Sequence, residues 1–167
     1  MAGMINGQTV LAVIPARSGS KRCPGKNFRD FRGKPLYLWS VMAAYQSELI
    51  DTVIVSKDAD RPPELCTDTA TNEDVLRYHL MQHPHDWVVL LQPTSPLRTV
   101  EDIDHCIEIA QQGCVCISYR PDGTKNGAVY VAEREWIMRH DFSYKEHHHY
   151  EMPNERSLDI DFAHQFE

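Results

Sequence analysis

Short apolar segments alternate along this chain with amphipathic segments of helical length, and this alternation limits the folds that the sequence can adopt. The apolar run Leu11 to Pro15 is too short for a helix and predicts a buried strand. Four similar stretches predict further strands: "DTVIVSKD", "DWVVLLQ", "CVCISY" and "GAVYVAE". Helices are predicted over "PLYLWSVMAAYQSELI", "NEDVLRYHLMQH", "RTVEDIDHCIEIAQQG" and "REWIMRH". Strands and helices in this order predict an α/β sandwich with a mostly parallel central sheet.

Length and composition narrow the class of protein. The 167 residues suit one domain spanning residues 1–167, and 42% hydrophobic with 25% charged residues is ordinary for a soluble chain. No segment approaches the roughly 18 apolar residues of a membrane span, and the first residues lack a signal-peptide pattern. Five cysteines without zinc-type spacing indicate free thiols in a reducing compartment. We therefore expect a cytoplasmic protein without a membrane partner.

The charge of the chain is unevenly distributed. The net charge of −7 argues against a nucleic-acid partner. Residues 1–40 nevertheless carry seven Lys and Arg against one acid, whereas the other 127 residues carry ten against 23. One basic segment in an acidic protein predicts a small anionic ligand.

The basic residues concentrate in "IPARSGSKRCPGKN", directly after the first strand. Gly19 and the small serines free backbone N–H groups for phosphate oxygens, and the cations supply charge-assisted hydrogen bonds. The cations are Arg17, Lys21, Arg22 and Lys26. The glycine spacing matches neither the P-loop nor the dinucleotide fingerprint, and a solvated basic turn is the alternative. Its place at the carboxyl end of a strand, where α/β proteins bind ligands, favours phosphate binding.

A second polar segment, "LLQPTSPLR", also follows a buried strand. Gln92, Thr94 and Ser95 offer short polar groups suited to a hydroxyl-rich ligand. A stiff strand-to-helix turn is equally consistent with this segment, because Thr99 can cap the next helix.

A third segment, "SLDIDF", carries two carboxylates. In an extended conformation Asp159 and Asp161 share one face, while Leu158, Ile160 and Phe162 share the other. Carboxylates this close repel one another unless a cation such as Mg²⁺ lies between them. Taken alone, the segment equally fits an amphipathic strand with a solvated acidic face.

Five motifs in this order resemble the acylneuraminate cytidylyltransferases, from about Thr9 to the end of the sequence. They are "IPARSGSKRCPGKN", "RPPELCTDTA", "LLQPTSPLR", "NGAVYV" and "ERSLDIDF". The resemblance implies a Rossmann-like nucleotide-diphospho-sugar transferase sandwich and a nucleotidyltransferase reaction. In that reaction the anomeric hydroxyl of a sialic-acid-like nonulosonic acid attacks the α-phosphorus of CTP, giving the CMP-sugar and pyrophosphate.

The resemblance also implies roles for individual residues. Arg17, Lys21 and Lys26 would hold the triphosphate and, with Asp161, form the catalytic set. Asp159 and Asp161 would bind Mg²⁺, and Gln92 and Ser95 would contact the sugar acid. The nucleotide pocket would further include Pro15, Ala16, Asn27, Arg61, Ala70 and Asn72, largely through backbone groups.

The chain departs from the family pattern at two internal places. Only Ala59 and Asp60 separate "VIVSKD" from "RPPEL", where the family has a helix and a strand. Only "PDGTK" stands where the family inserts a dimerisation arm that also helps to bind the sugar. These departures leave open the oligomeric state and two alternatives: a CTP-binding module that is non-catalytic or partner-dependent, and a transferase acting on 3-deoxy-manno-octulosonate.

Overall fold

A seven-stranded sheet runs through the molecule, which a computed structural model describes over residues 4–167. The strands are β1 (Met4–Ile5), β2 (Gln8–Pro15), β3 (Asp30–Phe31), β4 (Lys34–Pro35), β5 (Thr52–Ser56), β6 (Trp87–Leu90), β7 (Val115–Tyr119), β8 (Lys125–Glu133) and β9 (His148–Glu151). The helices are α1 (Leu36–Gln46), α2 (Asn72–Gln82), α3 (Val100–Ala110) and α4 (Arg134–Arg139), with short 3-10 turns between elements. A separate two-stranded hairpin is formed by β3 and β4.

The order of the strands confirms the mostly parallel sheet. Strand β2 pairs in parallel with β5 on one side and with β6 on the other. Strand β8 runs antiparallel between β6 and β7, and β9 pairs in parallel with β7. Five of the seven strands therefore point the same way, while β8 and the short β1 run against them. The parallel trio brings the carboxyl ends of three strands to one edge of the sheet.

Helices cover both faces of the sheet, which explains the continuous apolar run of β2. Its residues Val10, Ala12 and Ile14 pack on the side of α1 and α3. Its residues Leu11 and Val13 pack on the side of α2 and α4. A strand that is buried on both faces has no polar alternation. By contrast β5, which the sequence predicts to be buried, is half-buried from Thr52 to Val55 and pairs with β2 alone among the described strands.

Two helices begin at capping boxes. At α3, Thr99 accepts the Asp102 N–H and Asp102 accepts the Thr99 N–H, which confirms the predicted cap. At α2 the cap is Thr71, paired with Asp74 in the same way. Every helix among residues 4–167 is too short or too polar to cross a bilayer.

The segment around the acidic pair is not a strand. Residues 157–161 have no regular structure, and the Ile160 N–H donates to the Thr94 carbonyl at 2.8 Å. Ile160 is buried beneath α1, but Phe162 is 47% exposed, with the Arg22 guanidinium over its ring. The prediction that Phe162 shares an inward apolar face with Ile160 is therefore wrong, because the chain turns at Phe162.

Candidate functional site

A cavity of about 380 Å³ opens at the carboxyl ends of β2 and β6. Pro15 ends β2, and Gln92 lies two residues beyond the last residue of β6. Ten of the thirteen residues to which the resemblance assigns a role line this cavity: Pro15, Arg17, Lys21, Lys26, Asn27, Arg61, Ala70, Asn72, Gln92 and Asp161. Residues far apart in the chain thus meet at the edge where α/β sheets place their ligands.

The basic loop, residues 16–27, is shaped by its small residues and by one buried amide. The Asn27 side chain is buried, and its Nδ2 donates to the Arg17 carbonyl at 2.9 Å, closing the loop on itself. Gly25 has φ +68, a left-handed conformation that favours glycine. A Cβ at Gly19 would lie 2.8 Å from Arg17 Nη1. Gly19 therefore leaves room for the Arg17 guanidinium to cross the loop.

Two cations of the basic loop converge on one carboxylate. Arg17 Nη2 lies 2.8 Å from Asp68 Oδ1, and Lys21 Nζ lies 3.2 Å from Asp68 Oδ2. The hydrogen bond from Arg17, followed by that from Lys21, holds the pKa of the Asp68 carboxyl below its usual value. Asp68 belongs to the loop before α2 and also lines the cavity. No local pattern in the sequence singles out Asp68.

A second carboxylate, that of Asp58, forms hydrogen bonds with the basic loop. It accepts hydrogen bonds from the Ser18 N–H at 3.2 Å and from the Ser18 hydroxyl. These hydrogen bonds lower the pKa of Asp58. The Ser18 N–H, which the sequence suggested as free for phosphate, therefore has a partner.

The acidic pair divides between the cavity and the protein interior. Asp161 lines the cavity, 3.5 Å from Lys26 Nζ. Asp159 is half-buried and does not line the cavity. Burial raises the pKa of Asp159, and the nearby Asp161 carboxylate raises it further, while a hydrogen bond from Thr94 lowers it. Two carboxylates this close to one another repel, and a divalent cation between them would relieve that repulsion.

Arg61 lies buried in the wall of the cavity. Its Nη1 donates to the Leu65 carbonyl at 3.0 Å and its Nη2 to the Ser56 carbonyl at 2.7 Å. Its Nε is buried without a hydrogen-bond partner among the described residues. Burial lowers the pKa of this guanidinium. Arg61 thereby ties the end of β5 to the loop before α2, and brings positive charge to the cavity.

Besides Asp159, two of the predicted site residues, Ala16 and Ser95, lie outside the cavity wall. Ala16 is fully buried, and its N–H donates to the Ser56 carbonyl at 2.8 Å. Ser95 is fully buried, its Oγ has no partner among the described residues, and it is not part of the cavity wall. Asn72 lines the cavity as the first residue of α2, but the cap of that helix is Thr71.

A buried arginine, Arg98, holds the backbone of Gln92 in place. Arg98 donates from Nη2 to the Gln92 carbonyl at 2.6 Å, from Nε to the Ala128 carbonyl at 2.7 Å and from Nη1 to Ser40 Oγ at 2.8 Å. Burial lowers the pKa of Arg98 to about 9, so the guanidinium remains charged at neutral pH. Sequence reasoning missed this role because a buried arginine and a solvated one look alike in a sequence.

A second buried network anchors the chain just before the acidic pair. Arg156 donates to the fully buried Asp102 through Nε at 2.9 Å and Nη2 at 2.8 Å, and the Tyr150 hydroxyl donates to the same carboxylate at 2.8 Å. The next residue, Ser157, accepts a hydrogen bond from Asn126 Nδ2 at 3.1 Å. The position of the acidic pair is therefore fixed by α3, β8 and β9.

Comparison with known proteins agrees with this geometry. A family model described as Cytidylyltransferase matches residues 11–67, which include the basic loop. The chain is 42% identical over 121 residues to CMP-N,N'-diacetyllegionaminic acid synthase from Legionella pneumophila, covering 60% of this chain and 52% of that protein. Over these residues the chain is similar to the cytidylyltransferases. An N-acylneuraminate cytidylyltransferase from Streptococcus agalactiae is 29% identical over 206 aligned positions, covering 90% of this chain and 50% of that protein.

Solved structures share the cytidylyltransferase fold. A CMP-2-keto-3-deoxy-manno-octonic acid synthetase complexed with CTP superimposes with a TM-score of 0.74 at 16% identity, covering 93% of this chain and 94% of that one. A Mycobacterium tuberculosis protein in complex with manganese superimposes with a TM-score of 0.69 at 15% identity, covering 95% and 96% of the two chains. At these identities the likeness establishes the fold alone.

The chain spans about half the length of the curated relatives that it matches. The alignment with the streptococcal protein extends over 206 positions, more than the 167 residues of this chain. This chain therefore lacks internal residues that the relative has. In the structure, the connection from β7 to β8 is a tight turn, closed by the Arg120 N–H donating to the Thr124 carbonyl at 2.8 Å.

Proposed function

We propose that this chain is a nucleotidyltransferase that transfers CMP from CTP to the anomeric hydroxyl of a sialic-acid-like nonulosonic acid and releases pyrophosphate. One observation carries the proposal: a single cavity unites Arg17, Lys21 and Lys26 of the basic loop with Asp161. Transfer at phosphorus needs alignment and charge neutralisation rather than a protein nucleophile, and this cavity offers cations on a fixed loop. The curated relatives named above support the same reading.

The triphosphate is assigned to the basic loop. Arg17, Lys21 and Lys26 neutralise the phosphates and stabilise the departing pyrophosphate, in which negative charge accumulates. Cytidine is assigned to the wall formed by Arg61, Ala70 and Asn72, on the opposite side of the cavity. Pro15, Ala16 and Asn27 hold the backbone of the basic loop beneath the nucleotide.

The acidic pair suits a divalent cation that the substrate helps to bind. Among the described residues no cluster of three or more carboxylates, imidazoles or thiols is placed to hold a metal ion alone. Mg²⁺ typically takes one or two protein carboxylates together with substrate phosphates, so Asp161, supported by Asp159, fits that requirement. When bound there, Mg²⁺ supplies charge neutralisation at the α-phosphate and lowers the pKa of an adjacent hydroxyl. The manganese in a structure of the same fold agrees with divalent-cation binding.

The sugar acid is assigned to the side of the cavity formed by Gln92 and Thr94. The Gln92 backbone is held by Arg98, which leaves the amide side chain available to the ligand. Ser95 takes no part, because it is buried away from the cavity. We also infer a cytoplasmic enzyme without a nucleic-acid partner. All five cysteines are free thiols, and the net charge is −7.

The test is pyrophosphate release from CTP and Mg²⁺ in the presence of single sugar acids. The panel contains N-acetylneuraminate, legionaminate, pseudaminate and 3-deoxy-manno-octulosonate. We expect release with one of the first three, and release with the last alone would identify the smaller acid as the substrate. Asp161→Asn should abolish turnover and leave the fold intact by circular dichroism, whereas near-normal rates in this variant would remove the metal assignment.

A second candidate function is a CTP-binding module that needs a partner chain for catalysis. The short turn between β7 and β8, together with the internal residues missing relative to the streptococcal enzyme, favours it. The family inserts at this turn an arm that helps to bind the sugar. Binding of CTP by calorimetry, with no release of pyrophosphate across the whole panel, would support this candidate over the enzyme.

A further inference from the structure

The cation pair of the basic loop already holds an anion from the protein itself. Asp68 places one carboxylate oxygen 2.8 Å from Arg17 Nη2 and the other 3.2 Å from Lys21 Nζ. These are two of the three cations that we assign to the triphosphate. A carboxylate bridging two cations has the geometry in which a phosphate group binds, with two oxygens facing two donors.

The contact of Asp68 with the two cations can be exchanged for contacts between the cations and a ligand. The Lys21 side chain is 84% exposed and that of Asp68 is 47% exposed, so water solvates each group once the pair separates. Exposed ion pairs of this kind contribute little to stability, so a ligand can displace them at small cost. The neighbouring carboxylate Asp58 differs, because it binds the Ser18 N–H and hydroxyl rather than a cation.

We propose that Asp68 is an intramolecular competitor for the phosphate site, which occupies Arg17 and Lys21 in the free protein and is displaced by the terminal phosphates of the nucleotide. This inference rests on the proposed function and adds a residue that tunes the affinity of the phosphate site. A ligand with several negative charges at this position replaces the carboxylate favourably. CMP, which lacks the two terminal phosphates, gains nothing from displacing it.

Competition by Asp68 affects the binding of the substrate CTP and of the product pyrophosphate. It weakens the binding of pyrophosphate as much as the binding of the triphosphate end of CTP, because both ligands must displace the same carboxylate. Pyrophosphate would otherwise be held tightly by the cations that received the triphosphate. Asp68 therefore favours product release, and the selectivity for CTP over CMP is smaller than the bare cations would give.

The experiment measures binding of inorganic pyrophosphate, of CTP and of CMP to the full chain by calorimetry at low ionic strength, with Mg²⁺ present. Asp68→Asn removes the competing charge, and we expect about three- to fivefold tighter pyrophosphate binding with unchanged CMP binding. Asp68→Glu retains a carboxylate and should stay near the wild-type affinity. Asp122→Asn is the matched control, since it removes an exposed carboxylate that bonds to Thr124 instead of a cation.

The outcomes separate this inference from the proposed function. Equal or weaker pyrophosphate binding by Asp68→Asn, with wild-type binding intact, would show that Asp68 orients the cations instead of competing for them. Only the inference on Asp68 would then fall. If neither the wild-type protein nor Asp68→Asn binds pyrophosphate or CTP, the basic loop is not a phosphate site and both proposals fall.

Discussion

At the scale of single residues, the buried histidine of α2 is the group with the clearest pH signature. His79 is buried, its Nε2 lies 2.7 Å from Ser56 Oγ, and burial lowers its pKa to about 4. The positive charge of Arg61 contributes to this lowering. His79 is therefore neutral in the folded protein at pH values where the same residue in the unfolded chain is protonated.

The sign of the pH effect follows from this difference. An unfolded histidine titrates near 6.5, so between pH 6.5 and 4 the unfolded chain binds a proton that the folded chain does not. The stabilising contribution of neutral His79 is complete above pH 6.5 and is lost as the pH falls through this window. The loss amounts to about 3 kcal/mol by pH 4, at roughly 1.4 kcal/mol for each pH unit.

The prediction is tested by urea unfolding at pH 7, 6, 5 and 4. His79→Gln retains a group that can hydrogen-bond Ser56 but does not titrate, so it should lose about 3 kcal/mol less stability across the window than the wild-type protein. His164→Gln removes an exposed histidine and should keep the wild-type slope. Parallel slopes for wild-type protein and His79→Gln would show that His79 is protonated in the folded state.

At the scale of elements, the segment that carries the acidic pair depends on long-range anchors. Arg156 lies three residues before Asp159, and it forms an ion pair with the buried Asp102. Burial raises the pKa of Asp102, but the hydrogen bonds from Arg156, Thr99 and Tyr150 together leave it below its usual value. Arg156 thus acts as a positioning residue for Asp161, because it is fixed in two directions by a bidentate contact.

We predict that Arg156→Lys affects metal use more than nucleotide binding. Lysine keeps the positive charge for Asp102 but cannot make the bidentate contact, so the acidic segment gains freedom. The Mg²⁺ concentration for half-maximal velocity should rise several-fold, while the KM for CTP stays within about twofold of wild type. Arg139→Lys, on the exposed end of α4, is the control. An equal rise in both constants would indicate a general loss of structure and not a positioning role.

The elements themselves were largely predictable, and the exceptions have physical reasons. Strand β2 is an apolar run because both of its faces are covered, and Thr99 with Asp102 forms a cap that is local in sequence. Strand β5 has the same apolar pattern but lies half-buried beside β2, because burial depends on which strand is its neighbour. The acidic segment alternates like a strand, yet it pairs with Thr94 through one backbone hydrogen bond instead of a ladder.

At the scale of the whole molecule, the site was predictable where its residues follow one another in the chain. The basic loop is continuous in sequence, and its position after β2 places it at the ligand-binding edge. Asp68, Arg98 and the pair of Asp102 with Arg156 were not predictable, because each partner lies about 50 residues or more away, or bonds to backbone carbonyls. Such contacts leave no local pattern in a sequence.

The segregation of charge across the molecule leads to a final prediction. The protein carries a net charge of −7, yet the proposed ligand of the basic loop is an anion with about four negative charges, so attraction has to come from nearby cations. Salt at 0.1 M screens charges separated by more than about 10 Å. Raising salt should therefore weaken CTP binding much more than CMP binding.

Lys21→Gln should weaken CTP binding and flatten its salt dependence. Lys145→Gln changes an exposed residue outside the cavity wall, so it should leave the dependence unchanged. Calorimetric titrations at salt concentrations from about 20 to about 300 mM, over which screening develops, measure the salt dependence of CTP binding. Equal slopes for Lys21→Gln and wild type would remove Lys21 from the triphosphate site.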